Sequence, residues 1–147
     1  MKTVHKSVLL WYSPEEMYAL VTDVEKYPEF LPWCDSAKVR DQQEAGMTAE
    51  LGIAFGGVHQ RFVTRNTHVA PSQVDLKLVE GPFSQLEGQW RFLPVGDAPQ
   101  RACKVELYLH YGFANPLLGR VVGPVFDKIA STLVDAFVKR ASQVYGD

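Results

Sequence analysis

Between Ala37 and Phe113 the sequence alternates apolar and polar residues with a period of two, and it is bounded on both sides by stretches of helical period. Met47, Ala49, Leu51, Ile53 and Phe55 alternate with Thr48, Glu50, Gly52 and Ala54, and Val74, Leu76 and Leu78 with Asp75 and Lys77. Leu86, Gly88, Trp90 and Phe92 alternate with Gln85, Glu87, Gln89 and Arg91; Cys103, Val105, Leu107, Leu109 and Tyr111 alternate with Lys104, Glu106, Tyr108 and His110. Successive side chains of a strand point to opposite faces, so this pattern describes antiparallel strands with one dry face and one wet face. Turn chemistry falls between them: Gly56-Gly57 suits a two-residue hairpin, Ala70–Ser72 and Gly81-Pro82 suit proline turns, and Gly96–Pro99 suits a looser loop. Six such segments in series form a meander.

The flanks are helical. Ser13, Pro14 and Glu16 place a hydroxyl at an N-cap, proline at the first helical position and a carboxylate at the third, where it reaches back to the cap amide. That helix should turn Met17, Tyr18 and Val21 inward and break near Thr22-Asp23, with a second short helical piece ending ahead of Pro28. Residues 3–11 read as a strand before it. At the other end, Asn115-Pro116 offers a cap, and a continuous helix runs from about Pro124 to Tyr145. Its inward stripe is Val122, Phe126, Ile129, Leu133, Ala136, Phe137 and Val144, with Arg140 the one interruption, its head snorkelling to water. Strand, two short helices, a six-strand meander and a long helix make an α+β chain, with helices against one face of an antiparallel sheet.

Composition narrows the functional classes. The 147 residues suffice for one core, so a single domain over 1–147 is expected. No stretch approaches the roughly 20 apolar residues of a membrane span, and the N-terminal apolar run, cut by Ser13-Pro14, is too short for a secretion signal; a cytoplasmic protein is expected. Cys34 and Cys103 lack a C-x-x-C spacing and read as reduced, buried, small apolar groups. The formal net charge of −2 gives no general attraction to polyanions, and no DNA partner is expected. The sequence has no phosphate loop, nucleophile elbow or H-E-x-x-H. The four histidines are scattered and read as surface or satisfied residues, so no metal and no catalytic residue is assigned. Acidic residues fall on the wet parity of nearly every strand. Glu80, on the dry parity, is the exception.

Two segments are unusual. Tyr27-Pro28-Glu29-Phe30-Leu31-Pro32-Trp33-Cys34 packs large apolar residues between two prolines, so it reads as a stiff loop that either plugs the core or forms one lip of an apolar pocket. In Gly81–Phe92 the dry-face Gly88 between Leu86 and Trp90 leaves either room for a ligand or a bend.

These segments, together with Asp23-Val24, Phe126, Ala130-Ser131, Val134 and Ala136-Phe137, resemble the coenzyme Q-binding START-like family, part of the polyketide cyclase/dehydratase and lipid transport superfamily. Its bacterial members are also labelled ribosome association toxins or oligoketide cyclase/lipid transport proteins. The resemblance runs through almost the whole chain. It implies a helix-grip (START-like, Bet v-like) fold, in which a curved sheet of six to seven strands closes on the long helix and the gap between them is a ligand tunnel. It further implies a carrier of ubiquinone or a related polyprenyl lipid, serving respiration or quinone biosynthesis, with no other cofactor and with transient membrane contact. The expected lining is Tyr27, Phe30, Leu31, Trp33, Phe55, Phe83, Leu86, Gly88, Trp90, Phe92, Phe126, Ile129, Leu133 and Phe137, with Tyr27, Tyr111, Arg61 and Asn66 as polar candidates nearby.

Two other readings stand beside the carrier. One is an inhibitor of ribosomal subunit association, for which Lys38, Arg40, Arg61, Arg65, Lys139 and Arg140 could assemble a basic patch. The other is an oligoketide cyclase or dehydratase, which would need an acid or base inside the pocket.

Overall fold

The computed structural model describes residues 1–96 and 101–146, so Asp97–Pro99 of the expected loop lies outside the described residues. Strand β1 (Lys2–Leu10) leads into helix α1 (Pro14–Thr22) and a 3₁₀ helix (Val24–Glu29). Six strands follow: β2 (Cys34–Gln43), β3 (Gly46–Phe55), β4 (Val58–Val69), β5 (Gln73–Glu80), β6 (Phe83–Pro94) and β7 (Cys103–Phe113). Helices α2 (Pro116–Val121) and α3 (Gly123–Tyr145) close the chain.

The alternating segments do form a meander, and β1 returns to pair with β7, giving one antiparallel sheet in the order β1-β7-β6-β5-β4-β3-β2. Register shifts in the β2–β3, β4–β5 and β6–β7 pairs mark bulges, which bend and twist a sheet. At the β3–β4 hairpin Gly56 and Gly57 take φ of 59° and 80°, the left-handed pair a tight turn needs. The capping box at α1 is complete: the Glu16 amide donates to Ser13 Oγ at 3.1 Å, and the Ser13 amide to Glu16 Oε1 at 2.9 Å.

The 3₁₀ helix runs through Pro28 instead of stopping ahead of it. Tyr27 carbonyl accepts from the amides of Phe30 and Leu31, so Pro28 sits where that turn asks for no N–H, and the stiff loop is reduced to Phe30–Trp33. Asn115 caps α2, as its Oδ1 accepts from the Leu118 amide, and α3 starts with Pro124 in its first turn. The buried face of α3 is Phe126, Ile129, Ala130, Val134, Phe137 and Ala141. Val144 is half exposed, because the stripe drifts around the helix over its 23 residues. Arg140 does not snorkel to water: its guanidinium bonds Glu29 Oε1 at 3.0 Å and lies 5.0 Å over the Phe30 ring.

Helix α3 crosses the inner face of the sheet. Near its start Phe126 packs edge-on against Phe62, Phe83 and Tyr111; a turn beyond its middle Phe137 meets Trp90, Tyr27 and Phe30 at ring separations of 5.1–5.4 Å. Its far end is tied to α1, where Tyr145 Oη donates to the Glu16 carbonyl and Tyr12 Oη to the Gly146 carbonyl. This is the expected helix-grip arrangement. Both cysteines are free and buried, and burial pushes the Cys34 thiol up to about 11. No helix among the described residues is long and apolar enough to cross a membrane.

Candidate functional site

Two aromatic clusters, around Phe126 and Phe137, hold α3 off the sheet, and between them lies a cavity of about 80 Å³, roughly the space of two or three water molecules. Helix α3 contributes Phe126, Ile129, Leu133 and Phe137; β6 contributes Leu86 and Trp90; β7 contributes Leu109; β5 contributes Val74 and Leu76. The floor near α1 is Val21, Val24, Tyr27 and Trp33, and the far wall is Ala49 and Leu51 of β3 with Phe62, Thr64, Asn66 and His68 of β4.

Eight of the expected lining residues therefore meet in one place: Tyr27, Trp33, Leu86, Trp90, Phe126, Ile129, Leu133 and Phe137. Six do not line this cavity. Leu31, Phe83 and Phe92 are core residues behind the wall, Phe83 between Phe62 and Phe113 and Phe92 stacked along Trp90. Phe30 and Phe55 face two surface grooves on either side of Trp33. The first groove runs from Glu29 to Arg140; the second is formed by Pro32, Val125, Lys128 and Thr132, where Lys128 lies over the Phe55 ring. Gly88 leaves no ligand room, since a Cβ there would stand 2.8 Å from Leu109 Cδ2 and 3.2 Å from Leu76 Cδ1, both of them wall residues. Its missing side chain lets the wall close. Trp33 borders the cavity and both grooves, which makes it the partition between inside and outside.

The polar candidates separate clearly. Tyr27 lines the cavity, but its hydroxyl donates to the Val21 carbonyl, and burial pushes its pKa up. Tyr111 Oη donates to Asp127 Oδ1 at 2.6 Å, away from the cavity. Arg61 is on the outer face with Glu50 at 3.0 Å and Glu80 at 3.4 Å. Glu80 is out there because the bulge opposite Val63 and Thr64 inserts one residue, reversing the parity of β5 at its end. Asn66 remains, and the sequence reading missed its two neighbours on the same face, Thr64 and His68.

Thr64, Asn66 and His68 form a polar stripe at every second residue of β4. Thr64 Oγ1 donates to Asn66 Oδ1 at 2.7 Å, and no described group pairs with the Asn66 side-chain N–H₂. His68 Nε2 is buried without any hydrogen-bond partner, and burial first, then the Arg65 charge, lowers its pKa, which favours the neutral ring. Leaving such a group unpaired costs about 1–3 kcal/mol. The expectation that all four histidines are surface or satisfied groups is corrected here. Arg61, Val63, Arg65 and Thr67 alternate with this stripe, so polarity lies on both faces of β4 and parity alone does not reveal the inner one.

The surface offers less. Arg61 and Arg140 are each tied to glutamates, and Arg65 Nη1 bonds the Asp41 carbonyl and Thr48 Oγ1. Two members of the expected basic patch are thus paired with acidic groups, while Lys38, Arg40 and Lys139 are exposed. No carboxylate, lysine or arginine lines the cavity, and no metal-holding cluster of His, Cys, Asp and Glu occurs among the described residues.

Comparison with known proteins agrees with this geometry. The family model described as polyketide cyclase/dehydrase and lipid transport matches residues 10–138. The chain is 43% identical over 143 residues, 97% of either chain, to a protein of Pseudomonas aeruginosa named ribosome association toxin RatA. It is 32% identical over 142 residues to a Xenopus laevis protein named coenzyme Q-binding protein COQ10 homolog B, mitochondrial, spanning 96% of this chain and 58% of that one. The crystal structure of the Zhui aromatase/cyclase from a Streptomyces species superposes with a TM-score of 0.81 over 97% of this chain and 94% of that chain, at 13% identity, a likeness of fold alone.

Proposed function

Because the chain belongs to the polyketide cyclase/dehydrase and lipid transport family, we propose that it binds an apolar small molecule between α3 and the sheet, most specifically an isoprenoid quinone. The enclosed cavity walled by Trp33, Trp90, Phe126 and Phe137 is the observation that carries this reading. Its volume is about half that of a cavity that takes a benzene ring, so a quinone ring enters only as the walls move apart. A longer tail would pass Trp33 into the grooves of Phe30 and Phe55, which gives those two residues a place along the ligand outside the cavity. Each CH₂ buried there contributes about 0.8 kcal/mol, so an apolar tail needs no polar contacts of its own. We read the role as binding, since no carboxylate, lysine or arginine among the described residues lines the cavity and His68 is the one titratable wall group there without a hydrogen-bond partner. The relative named as a coenzyme Q-binding protein supports the quinone as ligand class.

The test is quenching of Trp33 and Trp90 emission by ubiquinone-1, which carries a single isoprene unit. Saturable quenching that stays constant between low and high salt is expected. Emission unchanged beyond an inner-filter control would refute the reading.

A second reading rests on the relative named as a ribosome association toxin, which matches along its whole length. A ribosome-directed protein would bind in a strongly salt-dependent way, since each neutralised phosphate contributes a log–log slope near −0.9 on a duplex or −0.7 on a single strand. Sucrose-gradient profiles of ribosomal subunits mixed with the protein test it. A salt-sensitive shift supports it, and unchanged profiles at low salt remove it.

A further inference from the structure

The stripe on β4 stands out within the cavity. Apart from the indole N–H groups of Trp33 and Trp90, the other wall side chains are apolar or, as with Tyr27, have their polar atom already engaged. Thr64 and Asn66 are about 95% buried, yet Thr64 spends its hydroxyl on Asn66 Oδ1 and thereby orients the amide, leaving its N–H₂ unclaimed by any described group. One strand step of two residues further on, His68 Nε2 is buried and unpartnered. The Asn66 N–H₂ and, with the ring proton on Nε2, the His68 N–H are two donors spaced along a strand by about 6.6–6.8 Å of rise that face one small volume. Donors so placed are complementary to a ligand that carries acceptors at one end only.

We infer that Asn66 and His68 are the headgroup anchor of this cavity, and that the ligand is an apolar molecule bearing ring carbonyl or ether oxygens at the end that lies against β4. This rests on the proposed apolar-ligand function and adds its orientation: oxygenated ring toward β4, tail toward Trp33. Thr64 is a positioning residue, acting through the Asn66 amide. The same donors explain selection of an oxygenated ring over a plain hydrocarbon, because a hydrocarbon would leave both donors unpaired on binding.

The test compares two probes, ubiquinone-1 and prenylbenzene, the latter with the same tail and no acceptor, by NMR titration of the full chain. The wild type is expected to bind both and to prefer the quinone about tenfold or more. His68→Leu and Asn66→Leu should each weaken the quinone by about five- to tenfold, the worth of one neutral hydrogen bond, and leave prenylbenzene unchanged. His68→Gln, which keeps an N–H near the Nε2 position, should recover most of the loss. Equal effects on both probes, or none on either, would overturn the anchor while leaving the cavity as a ligand site, its stripe then holding water only. Binding of neither probe by the wild type would overturn the apolar-ligand reading itself. Should the leucine variants unfold, the ¹⁵N shift of His68 Nε2 in the wild type decides the matter: it moves on adding ubiquinone-1 if the anchor is right, and an unmoved signal at saturation overturns it.

Discussion

Gly88→Ala probes how the cavity wall is built. The new methyl would begin 2.8 Å from Leu109 Cδ2, 3.2 Å from Leu76 Cδ1 and 3.4 Å from the Tyr108 carbonyl. In a sealed core such crowding costs about 1–3 kcal/mol. Here the two crowded leucine ends both border the cavity, so they can turn into it instead of straining the sheet. Replacing glycine within a strand also returns about 0.5–1 kcal/mol of backbone entropy. The two effects nearly cancel, and stability should stay within about 1 kcal/mol of wild type, a shift in Tm of roughly 3–4 °C at most. The displaced methyl groups shrink the cavity, so affinity for ubiquinone-1 should fall. Thermal denaturation and tryptophan quenching, read on the same variant, check both halves. A loss of 2–3 kcal/mol with unchanged binding would refute the reasoning, because it would show a wall that cannot yield into the space behind it.

Other perturbations have opposite signatures. Phe137→Ala removes a ring that is 1% exposed and packed on Tyr27, Phe30 and Trp90, and it should destabilise by about 3–5 kcal/mol in urea unfolding. The Glu16 carboxyl, forked by Arg101 at 2.8 and 2.9 Å, is held down at about 2, chiefly by that pair. A carboxylate whose folded pKa lies below its ordinary 4.5 adds stability that is fully present above that value and is lost as pH falls toward 2. Arg101→Ala should therefore flatten the decline of stability between about pH 4.5 and 2, while costing no more than about 1 kcal/mol at neutral pH, as expected of a partly exposed pair; an unaltered acid limb would contradict the assignment.

Much of this fold was legible because the signals were local and periodic. The Ser13 capping box, the Gly56-Gly57 hairpin and the alternating strands each state their geometry within a few residues. The family resemblance supplied the closure of sheet on helix. Less legible were features decided by register. One inserted residue in β5 turned Glu80 outward, and Val144 left the inner stripe because 3.6 residues per turn does not divide its spacing evenly. Leu31, Phe83 and Phe92 have the hydrophobicity of cavity walls, but hydrophobicity does not distinguish a wall from the core behind it. The polar stripe was hidden by the polar residues alternating with it. An exception to wet-and-dry alternation, as in Phe62-Val63-Thr64-Arg65-Asn66-Thr67-His68, was the available signal that an inner face carried polar groups.

The central claim, a ligand ring held between α3 and β4, is tested most directly by a crystal structure of the chain grown with saturating ubiquinone-1. The account predicts density for the ring among Trp90, Phe126 and Phe137, with an oxygen within about 3.2 Å of Asn66 Nδ2 or His68 Nε2. A cavity without the ring at saturating ligand, or a quinone seated only in the outer grooves, would contradict it.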